Sequence, residues 1–304
     1  MSDAIGMIGL GNAGSALATA LSGTWPLVGY DRDPNRRQSV AELAIQCVDS
    51  VAEVATRARR IILSLPSADI SQAVVTELLA GEQVPDLIIE TSTVTPQAAQ
   101  TLDRLCRARH VRFVDAAIAS GVAAMAAGQV TFLVGGGPAD VEQARPVLAP
   151  MAKKILHLGP VGAGMGAKVV NNAVMHAVMV VLIEAAALAA KLDIPMPTLV
   201  DLLQGEGGLK RPLTHRVCER MMQGHYDGGM SVLNARKDST LALEIAQQLG
   251  VPLYAIQASH TPYEIAAASG LEDLDYASLA TLWEQWCGVR FDADPSGESV
   301  GGKS

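Results

Sequence analysis

The chain reads as an α/β domain on a mostly parallel sheet, followed by an all-α domain. Three observations carry that reading. Over the first half, short apolar runs alternate with helical stretches, the pattern of right-handed βαβ units. A glycine-rich turn follows the first apolar run directly. Beyond residue 164 no convincing strand remains, and long Ala- and Val-rich stretches suit helices.

In order, the runs at 5–8, 27–30, 61–65, 87–89, 113–114, 130–134 and 155–158 read as strands. Stretches such as 15–21 and 97–107 suit helices between them. Ligands of such sheets lie beyond the carboxyl ends of the strands. Asp31, Leu65-Pro66, Thr91-Ser92-Thr93 and Asp115 fall at those expected ends. The pattern changes at Gly159-Pro160-Val161-Gly162-Ala163-Gly164. One long helix is expected over 166–192, with others over 197–204, 211–223, 234–249, 254–269 and 276–288.

The turn is Gly9-Leu10-Gly11-Asn12-Ala13-Gly14, between the first strand and a helix. That context is what a G-x-G-x-x-G dinucleotide fingerprint needs. The first glycine permits the tight turn, the second a close pyrophosphate, the third close helix packing. The helix start adds free N–H groups and partial positive charge. Asp31, 22 residues after Gly9, ends the second strand, where a carboxylate can bond the adenosine ribose hydroxyls. Residues 1–162 are therefore expected to form a Rossmann-type dinucleotide-binding domain, and 163–291 a helical substrate and dimerisation domain. The tail 292–304, rich in Gly, Ser and acidic residues, is expected to be disordered.

Composition narrows the partners. Of 304 residues 49% are hydrophobic and 18% charged, enough for a large core, and the net charge is -8 with no dense basic block. Nucleic acid and anionic membrane surfaces are thereby excluded as main partners. Cys47, Cys106, Cys218 and Cys287 are scattered, without metal-ligand spacing, so reduced thiols and no metal site are expected. The chain starts on a strand without a signal peptide's basic start and cleavage site, which points to the cytoplasm. The apolar stretch 169–190 contains Asn171, Asn172, His176 and Glu184, and Lys168 and Lys191 bracket it. Polar groups at mid-span are costly, so it reads as a buried helix, the spine of the helical domain, through which a homodimer or higher homo-oligomer is expected. His176 reads as a satisfied core histidine, and Trp283 with Trp286 as packing for the last helix.

Lys168 and Asn172 are four residues apart and share one helix face at the start of this stretch. A lysine there is either a solvated side chain at a helix start or a general acid/base tuned by burial. Asn172 can orient a substrate oxygen without competing for its proton.

Five segments in order give the chain a resemblance to the β-hydroxyacid dehydrogenase family, over about residues 4 to 288. They are the glycine turn, Glu90-Thr91-Ser92-Thr93-Val94-Thr95-Pro96, the segment from Asp115 to Gly128, the Gly164/Lys168/Asn172 run, and Lys237-Asp238. The resemblance implies hydride transfer between a nicotinamide and a small 3-hydroxy acid or the matching semialdehyde. It makes Lys168 the acid/base and Asn172 a substrate-positioning group. Leu65, Pro66 and Thr93 would line the cofactor, and Lys237 would close the site, unless it pairs with Asp238 on the surface. The substrate segment departs from the family pattern. Ala119 stands where the family has a serine, and Ser120 where it has a glycine. Either Ser120, with Gly121, holds the substrate carboxylate from the neighbouring position, or the pocket prefers a different acid. Asp31 would repel a 2′-phosphate and favours NAD over NADP, while Arg32 beside it aligns with an arginine of NADP-dependent relatives. Two other functions remain open. One is reduction of an imine or bulkier carbonyl, which Lys168 argues against. The other is a non-catalytic dinucleotide sensor.

Overall fold

The computed structural model describes residues 4–292. The tail expected to be disordered lies outside the described residues, Asp292 excepted. The chain divides into two compact units between Ala173 and Val174.

The first unit is an eight-stranded sheet. Its strands are β1 (Ile5–Ile8), β2 (Leu27–Tyr30), β3 (Ile45–Cys47), β4 (Arg60–Leu63), β5 (Leu87–Glu90), β6 (Arg112–Ile118), β7 (Val130–Gly135) and β8 (Ala152–His157). They are ordered β3-β2-β1-β4-β5-β6-β7-β8. All neighbours are parallel except β6 and β7. Helices α1 (Asn12–Leu21), α2 (Pro34–Ser39), α3 (Val51–Arg57), α4 (Ala68–Ala80), α5 (Pro96–Arg107), α6 (Val122–Ala126) and α7 (Pro138–Leu148) connect them. Strand alternation sends side chains to both faces. Ile5, Met7, Ile62 and Ile89 join one core with Leu17 of α1 and Val147 of α7. Ile8, Ile61, Leu63 and Ile88 join the other with Val54, Val75 and Leu102 of α3, α4 and α5. A sheet covered on both faces needs apolar strands throughout, which is why β1 and β5 are wholly buried.

Local chemistry starts the helices. Ser50, Ser67 and Thr95 accept the N–H of Glu53, Ile70 and Ala98 respectively. Pro34, Pro96 and Pro138 occupy the first turn, where no N–H is needed. Two differences from the expected strands matter. β3, three residues long, is too short to show a pattern. β6 runs four residues past Val114, so Asp115 lies inside a strand and not at its end.

In the second unit α8 (Ala163–Lys191), which crosses the division, is followed by α9 (Met196–Gln204), α10 (Val232–Leu249), α11 (Tyr254–Ala268) and α12 (Ala280–Cys287). The helix expected over 211–223 is instead a π-helical segment, Pro212–Cys218, and a 3-10 turn, Met221–Gln223. Glu184 is buried because its carboxylate accepts the N–H of Ala255 at 2.8 Å and Ile256 at 3.0 Å, capping α11. An acid that looks misplaced in an apolar helix is thus a remote helix cap.

The expected burial of α8 is not found within one chain. Val170, Val174, Met179 and Ile183 are 65%, 51%, 56% and 56% exposed. His176 is exposed too, and so is not a core histidine. Trp283 and Trp286 pack on each other, with ring centres 5.2 Å apart, and both remain exposed. By length and composition α8 could cross a membrane. Its first turns belong to the first unit, and its Glu184 caps α11.

Candidate active site

The strand order reverses between β1 and β4, each the start of a loop at the carboxyl edge of the sheet. The loop after β1 holds the glycine turn. Gly9 has φ +93°, and a Cβ there would lie 2.1 Å from the Ser64 carbonyl oxygen. A Cβ on Gly14 would lie 1.9 Å from the Gly9 oxygen. Both positions therefore exclude any side chain. Gly11 is different, since a Cβ there would meet only the Arg36 guanidinium, at 3.3 Å. That open side, at a helix start with no side-chain cap, is where a pyrophosphate fits.

Asp31 is 4% exposed. One carboxylate oxygen accepts the Leu10 N–H at 2.8 Å, and the other the Asp33 N–H at 2.9 Å. The Arg36 guanidinium stands 3.7 Å away. Asp31 thus braces the glycine turn. A cavity of about 310 Å³ opens beside it, lined by Gly9, Tyr30, Arg32, Arg36, Leu65 and Pro66 among others.

The loops after β4 and β5 are tied together. Leu65 donates its N–H to Ser92 Oγ at 2.7 Å, and the Ser92 N–H is accepted by Glu90 Oε1 at 2.8 Å. Glu90 is wholly buried, and burial pushes its carboxyl up to about 7, with Asp115 adding to the rise. The Ser92 and Ser71 hydroxyls favour the ionised form without offsetting that cost. Glu90 Oε2 and Ser71 Oγ are both buried without a well-formed hydrogen bond. Thr93, next in line, is exposed at the edge.

α8 starts against this edge. Gly162, at φ +97°, leaves its missing Cβ 3.1 Å from the Pro96 oxygen. Gly166 faces the Pro96 ring. Lys168, half-buried, follows two residues on, and burial holds its ammonium below the usual lysine range. Asn172 is half-buried one turn later. Contacts therefore join the glycine turn to Leu65 and Leu65 to Ser92, and Pro96 to Gly162 just before α8.

Three expected residues stand differently. Ser120 Oγ accepts the Thr131 N–H at 3.0 Å and lies 3.5 Å from the Gln129 oxygen, so it also shapes its own loop. Gly121 caps α6 without a side chain and is exposed. Lys237 lies in α10 of the second unit, exposed, 3.4 Å from Asp238. Sequence reasoning passed over Arg36 and the roles of Glu90 and Asp115. A carboxyl closing the apolar run Leu87-Ile88-Ile89 was the available signal.

The buried Glu90 carboxyl has a testable pH signature. Its folded value, about 7, exceeds the unfolded 4.5, so the folded protein keeps a proton that the unfolded chain releases. The contribution is full below pH 4.5 and is lost as pH rises to about 7, a change of roughly 3 kcal/mol. Glu90→Gln keeps the Ser92 acceptor and offers Ser71 a donor. It is expected to raise Tm at pH 8 and to remove this slope. A Tm at pH 8 below that of the unaltered protein would mean the ionised carboxylate stabilises the fold.

Comparison with known proteins identifies the family. Residues 4–159 match the NAD-binding domain of 6-phosphogluconate dehydrogenase, and 162–283 the NAD-binding domain of NADP-dependent 3-hydroxyisobutyrate dehydrogenase. A probable 3-hydroxyisobutyrate dehydrogenase of Mycobacterium tuberculosis is 30% identical over 283 residues, 90% of this chain and 96% of that one. The 2-(hydroxymethyl)glutarate dehydrogenase of Eubacterium barkeri is 29% identical over 94% of this chain and 96% of its own. The structure of the M. tuberculosis 3-hydroxyisobutyrate dehydrogenase with L-serine has a TM-score of 0.64 at 29% identity, over 93% of this chain and 99% of that one. An imine reductase from Pseudomonas sp. shares the fold, with a TM-score of 0.83 at 20% identity over 92% and 99% of the two chains. Matched in both halves and by relatives along most of its length, the chain belongs to the β-hydroxyacid dehydrogenase family of NAD(P)-dependent oxidoreductases.

Proposed function

We propose that the enzyme transfers a hydride between nicotinamide and a small 3-hydroxy acid or the matching semialdehyde, with Lys168 as general acid/base. The observation that carries this is the half-buried Lys168 near the start of α8, with Asn172 one turn on along the same face. The relatives named for 3-hydroxyisobutyrate and 2-(hydroxymethyl)glutarate support the substrate class, as does a related structure bound to L-serine.

The Gly9–Leu10–Gly11–Asn12–Ala13–Gly14 turn would hold the pyrophosphate, Asp31 and Arg32 the adenosine ribose, and Leu65, Pro66 and Thr93 the nicotinamide half. When bound, the nicotinamide supplies or accepts the hydride. Lys168 gives its ammonium proton to the carbonyl oxygen in reduction, and as free amine takes the hydroxyl proton in oxidation. Burial makes the amine accessible nearer neutrality. Asn172 donates its amide N–H to the same substrate oxygen. Ser120 accepts the Thr131 N–H on its oxygen, and its hydroxyl would turn from the Gln129 oxygen, 3.5 Å away, to the substrate carboxylate beside Gly121. Reduction of an imine or bulkier carbonyl is the second reading, favoured only by Ala119 in place of the family serine. A panel of hydroxy acids, semialdehydes and cyclic imines, read by nicotinamide absorbance with each cofactor, separates the two.

The exposed apolar face of α8 supports a homodimer or larger homo-oligomer, since exposed patches of that extent mark interfaces. A cytoplasmic location belongs to the same reading. Sedimentation at micromolar concentration is expected to give at least twice the 31.7 kDa chain mass. A single 31.7 kDa species would overturn the assembly.

Lys168→Ala is expected to leave dinucleotide affinity nearly unchanged and cut turnover by about 10²–10⁴-fold. Retention of more than about a tenth of turnover would remove Lys168 from the chemistry.

NAD is the expected cofactor, because the buried Asp31 carboxylate repels a 2′-phosphate more strongly than Arg32 and Arg36 at the exposed rim attract it. Asp31→Asn keeps an acceptor for the Leu10 N–H and drops the charge. Its ratio of kcat/KM for NADP over NAD should rise. An unaltered enzyme that already prefers NADP sinks this assignment and makes the arginines dominant.

A further inference from the structure

Asp115 has no part in the reaction as proposed, yet it is wholly buried in β6, opposite Glu90 of β5 and Gly135 of β7. Its oxygens accept the N–H of Gly162 at 2.7 Å and of Met165 at 2.9 Å. Those N–H groups belong to the start of α8, which has no helical partner to offer them. The surrounding glycines let the helix come this close. A Cβ on Gly135 would lie 2.5 Å from Asp115 Oδ1. A Cβ on Gly164 would lie 2.8 Å from Oδ2 and 2.2 Å from the Leu133 oxygen.

An ordinary N-cap comes from the residue before the helix and fixes the helix only to its own loop. This one comes from 47 residues away, in the middle of the sheet. It therefore fixes the start of α8 to the body that carries the cofactor loops. Lys168 is three residues beyond Met165, less than one helical turn. Glu90, the neighbour of Asp115 in register, holds Ser92 and through it Leu65. The acid/base and the cofactor loops thus depend on two adjacent buried carboxyls.

We propose that Asp115 is the positioning residue for Lys168, setting the place of the amine relative to the cofactor loops by clamping the start of α8 to the sheet. The inference rests on the reading of Lys168 as acid/base. A misplaced catalytic group costs rate and not cofactor affinity, because the glycine turn and Asp31 are untouched.

The test is a double-mutant cycle on the full-length enzyme with its best substrate. Asp115→Asn keeps the size and loses the charge and one acceptor. It is expected to lower kcat by about 10- to 100-fold. The dinucleotide dissociation constant, from fluorescence titration, and the substrate KM should stay within about threefold, as a residue that acts on Lys168 alone requires. In a Lys168→Ala background the same change should cost less than about threefold more, because the residue it positions is gone. Asp115→Glu keeps the charge but pushes the helix start outward, and the same kcat loss is expected if Asp115→Asn folds poorly. Full multiplication of the two losses, or a dinucleotide affinity that falls as far as kcat, assigns Asp115 to general stability and overturns the proposal. A Lys168→Ala enzyme that keeps its turnover is a different failure, visible in that single variant, and it overturns the acid/base reading itself.

Discussion

The first unit depends on carboxylates buried in or beside the sheet that accept backbone N–H groups from the loops above it. Asp31 holds Leu10 and Asp33, Glu90 holds Ser92, and Asp115 holds Gly162 and Met165. A buried charge is costly unless hydrogen-bonded, and an orphan N–H at a helix start or tight turn is costly too. Each pairing gives the orphan N–H groups an acceptor and the carboxyl its hydrogen bonds, although at Glu90 these do not offset the cost of burial. In the second unit Glu184 does the same for α11. Asp31 follows β2 and Glu90 ends β5, at the edge where their loops emerge, while Asp115 lies inside β6, in register with Glu90.

This arrangement explains why glycine recurs where it does. A loop drawn down onto a carboxylate or a neighbouring carbonyl leaves no room for a Cβ. Gly9 and Gly14 are pressed together over Ser64, and Gly135 and Gly164 are pressed around Asp115. Close approach, more than turn geometry, requires glycine at three of these positions. Only Gly9 has a positive φ.

The legible part of the sequence was the part written in local chemistry. The glycine turn, the alternation of apolar runs with helices, and the Lys168–Asn172 spacing each depend on residues close in the chain. What was not legible depends on distant pairs. Asp115 read as a strand-end ligand residue because its partners, Gly162 and Met165, lie some fifty residues on. Glu184 looked like a polar interruption because α11 is 71 residues away. β3 was too short to pattern. The burial of α8 was inferred from composition, which records that an apolar surface needs covering but not which molecule covers it. Asp31 was read for its charge toward a ligand, while its bonds to Leu10 and Asp33 come from the turn's own fold.

α8 joins these lines of argument. Its first turns are clamped to the sheet, and the apolar exposure starts directly after Lys168, at Val169 and Val170, 43% and 65% exposed. Within one chain Lys168 is only half-buried, and that partial desolvation already lowers its pKa. In the proposed oligomer a partner covering Val169 and Val170 would withdraw more water from the neighbouring ammonium. Desolvation disfavours the charged amine, so assembly would move Lys168 further toward neutrality. The apolar surface that drives association and the tuning of the acid/base then follow from the same stretch of helix. Replacing either valine by a charged residue would act on both together.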